Sequence, residues 1–367
     1  MSAFNRKQRD KNSKMKCNEN NFDFLRLFAA SMVLFSHQHA LMGRPGIDTG
    51  LGERFGLGGL GVCIFFIVSG YLVTQSWLRD PNAFRFLAKR FLRIWPGLFI
   101  VTCIAALLVG PIVSGLDVKN YFSSPGLREY FGNLRVIGGG TSYLPDVFTH
   151  NPFPRAVNGS LWTIPVEVHW YLVLVVAAVA GALRWRWIAL FGIVGLAIYH
   201  FGVYHGETNP VRNWSREYGL FFLAGALLQL FRDWWADRQV LLIVGSLTVG
   251  TALFMLGWHV LGVLVAMPCL VIFTGEASTP FLRRFGRFGD LSYGVYIYAF
   301  IVQQTLIWKF GASGSFTLHL LSTVVVTFIC AWLSWHLVEK RALSFKPSRI
   351  RSGKERIHEV DLEKNLA

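Results

Sequence analysis

The sequence predicts an all-α protein, a polytopic bundle of transmembrane helices. Of its 367 residues, 53% are hydrophobic and only 16% are charged, whereas roughly a quarter of the residues are charged in an ordinary soluble domain. The 36 Lys and Arg residues outnumber the 21 Asp and Glu residues, but they lie between long apolar runs instead of along one basic surface. This distribution argues against a nucleic-acid partner and indicates an integral membrane protein in contact with lipids.

Ten apolar stretches account for the bundle, since about 20 helical residues cross a bilayer core. They lie at 24–42, 57–78, 94–116, 161–183, 187–205, 217–231, 239–257, 259–275, 291–308 and 315–338. The sixth and eighth stretches are short. The predicted transmembrane domain runs from residue 23 to residue 339, between tails at 1–22 and 340–367.

The positive charges predict the orientation, because Lys and Arg next to membrane spans concentrate on the cytoplasmic side. With the N-terminus inside, 26 of the 36 basic residues fall in inner segments and 9 in outer segments, and Arg26 lies within the first span. Both basic tails are therefore predicted to be cytoplasmic. The longest outer segment, residues 117–160, is expected to be a functional lid or acceptor platform, with a loop without function as the alternative; it is called the lid below.

The first span carries the strongest candidate site, because ionisable side chains inside a membrane are costly and usually functional. Arg26 and His37 are 11 residues apart, so they lie about 20° apart after three turns and share one helix face. Asp23 is placed to pair with Arg26. Glu167 in the fourth span is predicted to reach the depth of His37, where its carboxylate could support a general base. The alternatives are helix packing for His37 and a structural ion pair for Glu167.

A cluster of cations follows the second span. Arg90 and Arg93 are i,i+3 neighbours, and with Lys89 and Arg85 nearby they form a cationic patch that can bind phosphate groups. Positive-inside topology or contact with lipid headgroups is the alternative. Ser69 and Gly70, near the end of the second span, are small enough to admit a ligand or another helix. Plain helix packing explains these two residues equally well.

Six motifs, in order along nearly the whole chain, resemble those of the acyltransferase-3 family of integral membrane O-acyltransferases. They are Arg26-x10-His37, Phe65-Phe-x-x-Ser-Gly70, Arg90-x-x-Arg-Ile-x-Pro96, Ser160-Leu-Trp-x4-Glu167, Ser292-Tyr-Gly-Val-Tyr296 and Val338-Glu-Lys340. The chain departs from the family where Ala299 replaces a frequent His and Arg341 a frequent Pro. Any role of that His is therefore absent or moved here.

The resemblance implies acyl transfer, commonly acetylation, from cytoplasmic acyl-coenzyme A to a carbohydrate acceptor such as a surface polysaccharide or glycolipid. It implies a protein of the bacterial inner membrane with no tightly bound cofactor and no metal. His37 would be the catalytic base, Arg26 its companion and Glu167 a group that orients the ring or the sugar. Donor-side residues would be Arg90, Arg93, Ser69 and Gly70, and supporting residues would be Asp23, Tyr296 and Glu339.

A secondary transporter or exporter is the alternative function. In that case Arg26, His37 and Glu167 would form a proton or substrate pathway through the bundle. The cytoplasmic arginine cluster, together with the ordered motifs, favours the enzyme. The sequence leaves open an acetyl or a larger acyl group, and direct transfer or transfer through an acyl-enzyme.

Overall fold

The fold is helical throughout the part of the chain that the structure describes. The structure is a computed structural model, and it describes residues 20–47, 49–51, 55–138, 140–203 and 210–347. Among these residues the only β pairing is a single antiparallel bridge between Tyr143 and Ala156. The all-α prediction is therefore confirmed. Most of the two predicted tails, at 1–19 and 348–367, lies outside the described residues.

Ten helices of 13 residues or more form the described bundle, one at each predicted span. In chain order they are α1 (Phe22–Leu41), α2 (Leu57–Arg79), α3 (Ala83–Cys103), α4 (Thr163–Val179), α5 (Arg186–Ile198), α6 (Pro210–Leu230), α7 (Gln239–Met255), α8 (His259–Glu276), α9 (Ser292–Phe310) and α10 (Phe316–Ser334). Five helical segments of the described chain are long and apolar enough to cross a membrane: Leu57–Arg79, Ala83–Val113, Gly159–Val179, His259–Glu276 and Phe316–Ser344. Ten crossings and cytoplasmic termini stay predictions.

Helix α1 is long but falls outside that apolar group because it buries polar side chains at the centre of the bundle. Gln38 on α1 is fully buried, as is Gln303 on α9. Gln303 donates from Nε2 to the Leu34 carbonyl oxygen at 2.8 Å and to Gln38 Oε1 at 3.1 Å. Polar side chains of this kind lower the mean hydropathy of α1, and they can be buried because their hydrogen bonds are made within the bundle.

Helix α3 begins well before the predicted third span at 94–116. Asn82 caps its N-terminus, since the Asn82 side chain accepts a hydrogen bond from the Arg85 backbone N–H at 2.9 Å, and Pro81 precedes the cap. Asn is a preferred N-cap residue. The first turns of α3 are polar, so hydropathy does not identify them as part of a helix. In the structure Arg90 and Arg93 belong to α3 itself.

Helices α1 and α2 form the middle of the bundle, with α9 packed on α1 and α6 packed on α2. Glycines let these helices approach closely. A Cβ atom at Gly61 would lie 2.7 Å from the Ala29 carbonyl oxygen on α1, and one at Gly70 would overlap the Phe222 carbonyl group on α6. Small residues at membrane helix contacts allow the backbones to touch. The interior therefore depends on backbone contact along α2.

The predicted lid, residues 117–160, is folded and fastened to α9. Its short helices Val118–Ser123 and Pro125–Tyr130 are followed by irregular chain. Asn151 Nδ2 donates to Gln304 Oε1 at 2.7 Å, and Gln304 Nε2 donates to the Ala156 carbonyl oxygen at 2.7 Å. Because these groups are buried, the hydrogen bonds hold the end of the segment firmly against α9.

Candidate active site

A cavity of about 840 Å³, counting its opening, lies between α1, α2, α3, α4 and α9. The charged side chains that line it are Arg26, Arg90, Arg93 and Glu167. Three guanidinium groups and one carboxylate line this otherwise largely apolar cavity. A cavity of this composition suits an anionic ligand with an apolar portion.

Two of the three arginines are neutralised by carboxylates. Asp290 accepts from Arg26 Nη1 at 2.9 Å and from Arg93 Nη2 at 2.6 Å. Arg26 also pairs with Asp23, as the i,i+3 spacing predicts. Arg93 pairs in addition with Glu339 at 3.2 Å. The chain of ion pairs fixes both arginines and links α1, α3, α9 and the end of α10.

Glu339 reaches Arg93 because α10 does not end as a regular helix. A π-helical turn, Trp335–Glu339, follows Ser334, and such turns redirect the side chains that they carry. Ser334 donates to the second carboxylate oxygen of Glu339 at 2.9 Å. The Trp335 ring lies 5.9 Å from the Arg93 guanidinium carbon. The end of α10 thus encloses Arg93.

Asp290 is the functional residue that sequence reasoning missed. It lies just before α9, and its second oxygen accepts a hydrogen bond from the Ser292 hydroxyl at 2.6 Å. Burial by itself would raise the pKa of Asp290, but Arg26 and Arg93 outweigh burial and hold that pKa well below its usual range. Asp290 is therefore a carboxylate at physiological pH. An acidic residue two positions before the Ser292 motif was the available signal.

Arg90 differs from the other two arginines in having no carboxylate partner. Among the described residues it makes no ion pair or hydrogen bond, and its Nε is completely enclosed. The guanidinium contacts the Phe86 ring, with 5.9 Å between the guanidinium carbon and the ring centroid. Glu167 lines the same cavity but makes no ion pair with Arg90, so the Arg90 guanidinium can form hydrogen bonds with a bound anion.

The cationic patch predicted around Arg90 is smaller than the sequence suggested. Arg85 and Lys89 are bound to Asp80, whose carboxylate lies 3.0 Å from Arg85 Nε and 2.7 Å from Lys89 Nζ. Hydrogen bonds from Arg85 and Lys89 hold the pKa of Asp80 well below its usual range. These two cations therefore stabilise the connection between α2 and α3 instead of facing the cavity.

Ser69, Glu167 and Tyr171 form a hydrogen-bonded cluster on the cavity wall. The Ser69 hydroxyl donates to Glu167 Oε1 at 3.0 Å and lies 2.9 Å from the Tyr171 hydroxyl. Tyr171 also donates to Glu167 Oε1. Gly70, by contrast, faces α6 and is not among the described residues that line the cavity. Ser69 is placed as predicted, and the position of Gly70 is explained by helix packing.

The structure does not bring Glu167 and His37 together. Helices α1 and α2 run antiparallel with Phe22 beside Tyr71, their ring centroids 5.6 Å apart. Ser69, and with it Glu167, therefore lies near the Arg26 end of α1. His37 is 11 residues farther along α1, which is about 16 Å at the usual helical rise. Glu167 was predicted to lie at the membrane depth of His37. In the structure it lies nearer to the level of Arg26.

His37 lies beyond the cavity, in an aromatic environment near the lid. Its ring meets the Phe300 ring edge-on at 5.2 Å. Its Nδ1 is enclosed, and neither ring nitrogen has a hydrogen-bond partner among the described residues. Phe300 also contacts Phe153 of the lid at 6.4 Å. The lid therefore approaches the side of the bundle that carries His37.

A profile of the acyltransferase-3 family, described as an acyltransferase domain, matches residues 19–336. The chain belongs to this family. It is a membrane O-acyltransferase, and this identity favours the enzyme over the transporter alternative.

Relatives of the acyltransferase agree with this assignment. It is 33% identical over 343 residues to an "O-acetyl transferase" of Shigella phage Sf6, covering 89% of this chain and 96% of the relative. It is 30% identical over 371 residues to "Nodulation protein 10" of Rhizobium leguminosarum bv. viciae, covering 90% of this chain and 95% of the relative. A "Regulator of hypoxia-inducible factor 1" of Caenorhabditis elegans is 33% identical over 129 residues, 33% of this chain and 23% of that protein. No solved structure matches the acyltransferase.

Proposed function

We propose that this acyltransferase moves an acetyl group from cytoplasmic acyl-coenzyme A to a hydroxyl of a carbohydrate acceptor, such as a surface polysaccharide or glycolipid, in a bacterial inner membrane. The observation that carries the proposal is the Arg90 guanidinium, which lines the cavity and makes no ion pair or hydrogen bond among the described residues. The acetyl group is favoured by the phage relative, whose name is O-acetyl transferase. The positive-inside rule supports the cytoplasmic donor.

Coenzyme A carries phosphate groups, which guanidinium ions bind through short, charge-assisted hydrogen bonds. Arg90 supplies such a group without giving up an existing partner. Arg26 and Arg93 form ion pairs with Asp290, at 2.9 Å and 2.6 Å. They therefore shape the end of the cavity next to Arg90, but they offer a bound anion less net positive charge than Arg90 does. Ser69, with Glu167 behind it, lines the path along which the acyl arm would extend.

His37 is the proposed general base. Its imidazole would accept the proton of the acceptor hydroxyl as that oxygen attacks the thioester carbonyl carbon, and the proton would then pass to the departing thiolate of coenzyme A. An imidazole performs such transfers at neutral pH because its pKa in solution is close to 7. The contact with Phe300 at 5.2 Å keeps the ring in one orientation.

The acceptor would approach on the opposite side from the donor. The lid is fastened to α9 through Gln304, which donates to the carbonyl oxygens of Phe153 at 2.8 Å and Ala156 at 2.7 Å. Phe153 is also within reach of Phe300, which contacts His37. A sugar held beneath this segment would present its hydroxyl near the imidazole.

A direct test uses membranes that contain the protein, radiolabelled acetyl-coenzyme A and a glycan fraction. His37→Ala should abolish covalent labelling of the glycan while the protein stays in the membrane at its normal amount. The matched control is His39→Ala, because His39 packs against Phe316, with 4.5 Å between ring centroids, and should keep its activity. Full labelling by His37→Ala would reject the assignment. Uptake of substrate without covalent label would support a transporter instead.

A further inference from the structure

Two aromatic rings narrow the cavity on the side toward His37. Phe65 of α2 and Tyr296 of α9 both line the cavity, and their rings meet edge-on with centroids 5.5 Å apart and planes at 70°. One helical turn after Tyr296, Phe300 contacts His37. An acyl group that moves from the cavity toward His37 therefore meets the Phe65 and Tyr296 rings first.

The Tyr296 ring cannot easily swing away. Its hydroxyl lies 2.7 Å from the Thr163 hydroxyl and donates to the Ser160 carbonyl oxygen at 3.1 Å. Both partners lie at the start of α4 and are buried, as is Tyr296 itself. Buried side chains held at both ring and hydroxyl keep one rotamer. Tyr296 is thus a fixed side of a constriction that Phe65 narrows from α2.

We propose that Phe65 and Tyr296 set the maximum size of the acyl group that the enzyme transfers. The proposal rests on the donor and base assigned under the proposed function, and it adds the residues that select the acyl chain. A rigid apolar wall discriminates by about 10- to 200-fold for each methylene that it must reject. The wall therefore favours acetyl over longer acyl groups.

The test compares acetyl-, butyryl- and hexanoyl-coenzyme A as donors for the full-length enzyme in membranes. Butyryl is two methylenes longer than acetyl, so in Phe65→Ala the ratio of butyryl to acetyl transfer should rise by about 100-fold or more, and in Phe65→Leu by less. If Phe65→Ala does not accumulate, Phe65→Leu supplies the result. Phe91→Ala is the matched control, since Phe91 is 49% exposed on the outside of α3, and its ratio should equal that of the wild type.

An unchanged ratio in an active Phe65 variant would overturn the proposal. So would an equal rise in Phe66→Ala, because Phe66 belongs to the side wall and stacks on Tyr218, with 5.3 Å between ring centroids. These outcomes differ from failure of the proposed function, in which the wild-type enzyme itself would label no glycan from acetyl-coenzyme A.

Discussion

Replacing Arg90 and Arg93 one at a time should separate donor binding from stability. Arg90 lines the cavity and has no ion pair or hydrogen bond among the described residues. Arg93 is paired with Asp290 at 2.6 Å and with Glu339 at 3.2 Å. Glutamine removes the charge and keeps much of the side-chain length. We therefore expect Arg90→Gln to weaken donor binding and Arg93→Gln to destabilise the fold.

The structure sets the size of both effects. A hydrogen bond to a charged group contributes about 1.5–3 kcal/mol, so Arg90→Gln should raise the KM for acetyl-coenzyme A by roughly 10- to 150-fold. Arg93→Gln leaves Asp290 with Arg26 but takes the cation from Glu339, whose side chain is 2% exposed. Breaking a buried pair from one side costs about 3–5 kcal/mol, and the Tm should fall accordingly.

Both quantities can be measured on the same purified preparations in detergent, as the rate against donor concentration and as the thermal unfolding curve. Arg186→Gln is the control, because Arg186 pairs with Asp233 at an exposed site, where the two side chains are 43% and 72% exposed. Exposed pairs contribute little, so neither quantity should change. An unaltered KM in Arg90→Gln, together with a wild-type Tm in Arg93→Gln, would refute the division of roles.

Two further predictions concern stability. Gly70→Ala should lower the amount of folded protein, because the Cβ of the alanine would overlap the Phe222 carbonyl group. Overpacking of this kind costs about 1–3 kcal/mol or more, and an unchanged Tm would contradict the close contact. Asp290 has a lowered pKa in the folded protein, so its stabilising effect is complete above the unfolded value of about 3.9 and is lost as the pH falls through the folded value. Asp290→Asn should therefore lower the Tm at neutral pH and flatten its decline in acid, which thermal unfolding at about pH 7 and between about pH 5 and pH 1 would check.

The existence of the helices was predictable from local sequence. Their exact ends were less predictable, because hydropathy reports only how apolar a segment is. Each apolar stretch corresponds to a helix of the described chain. The start of α3 was not predicted, because its first turns carry Arg85, Lys89 and Arg90 outside any apolar run. Asn82 determines that start by capping the helix, which is a hydrogen-bonding effect and leaves no trace in mean hydropathy.

The site was predictable where its contacts are local. Asp23 and Arg26 pair because three residues along a helix bring side chains together, and this pair is confirmed. The predicted proximity of His37 and Glu167 assumed that their helices enter the membrane from opposite edges. It also assumed that neither helix is tilted or shifted along the membrane normal. In the folded protein Glu167 is held by Ser69 on α2, with 3.0 Å between Ser69 Oγ and Glu167 Oε1, away from His37.

The sequence by itself determined that this protein is a helical membrane acyltransferase, since apolar runs, charge asymmetry and ordered motifs are properties of the chain. Only the tertiary structure decided which arginine is free to bind an anion. Arg93 meets Asp290 across 197 positions of the chain, while Arg90, one turn away, meets no carboxylate among the described residues. The two arginines are i,i+3 neighbours on one helix face, so their different partners are decided by how distant helices pack.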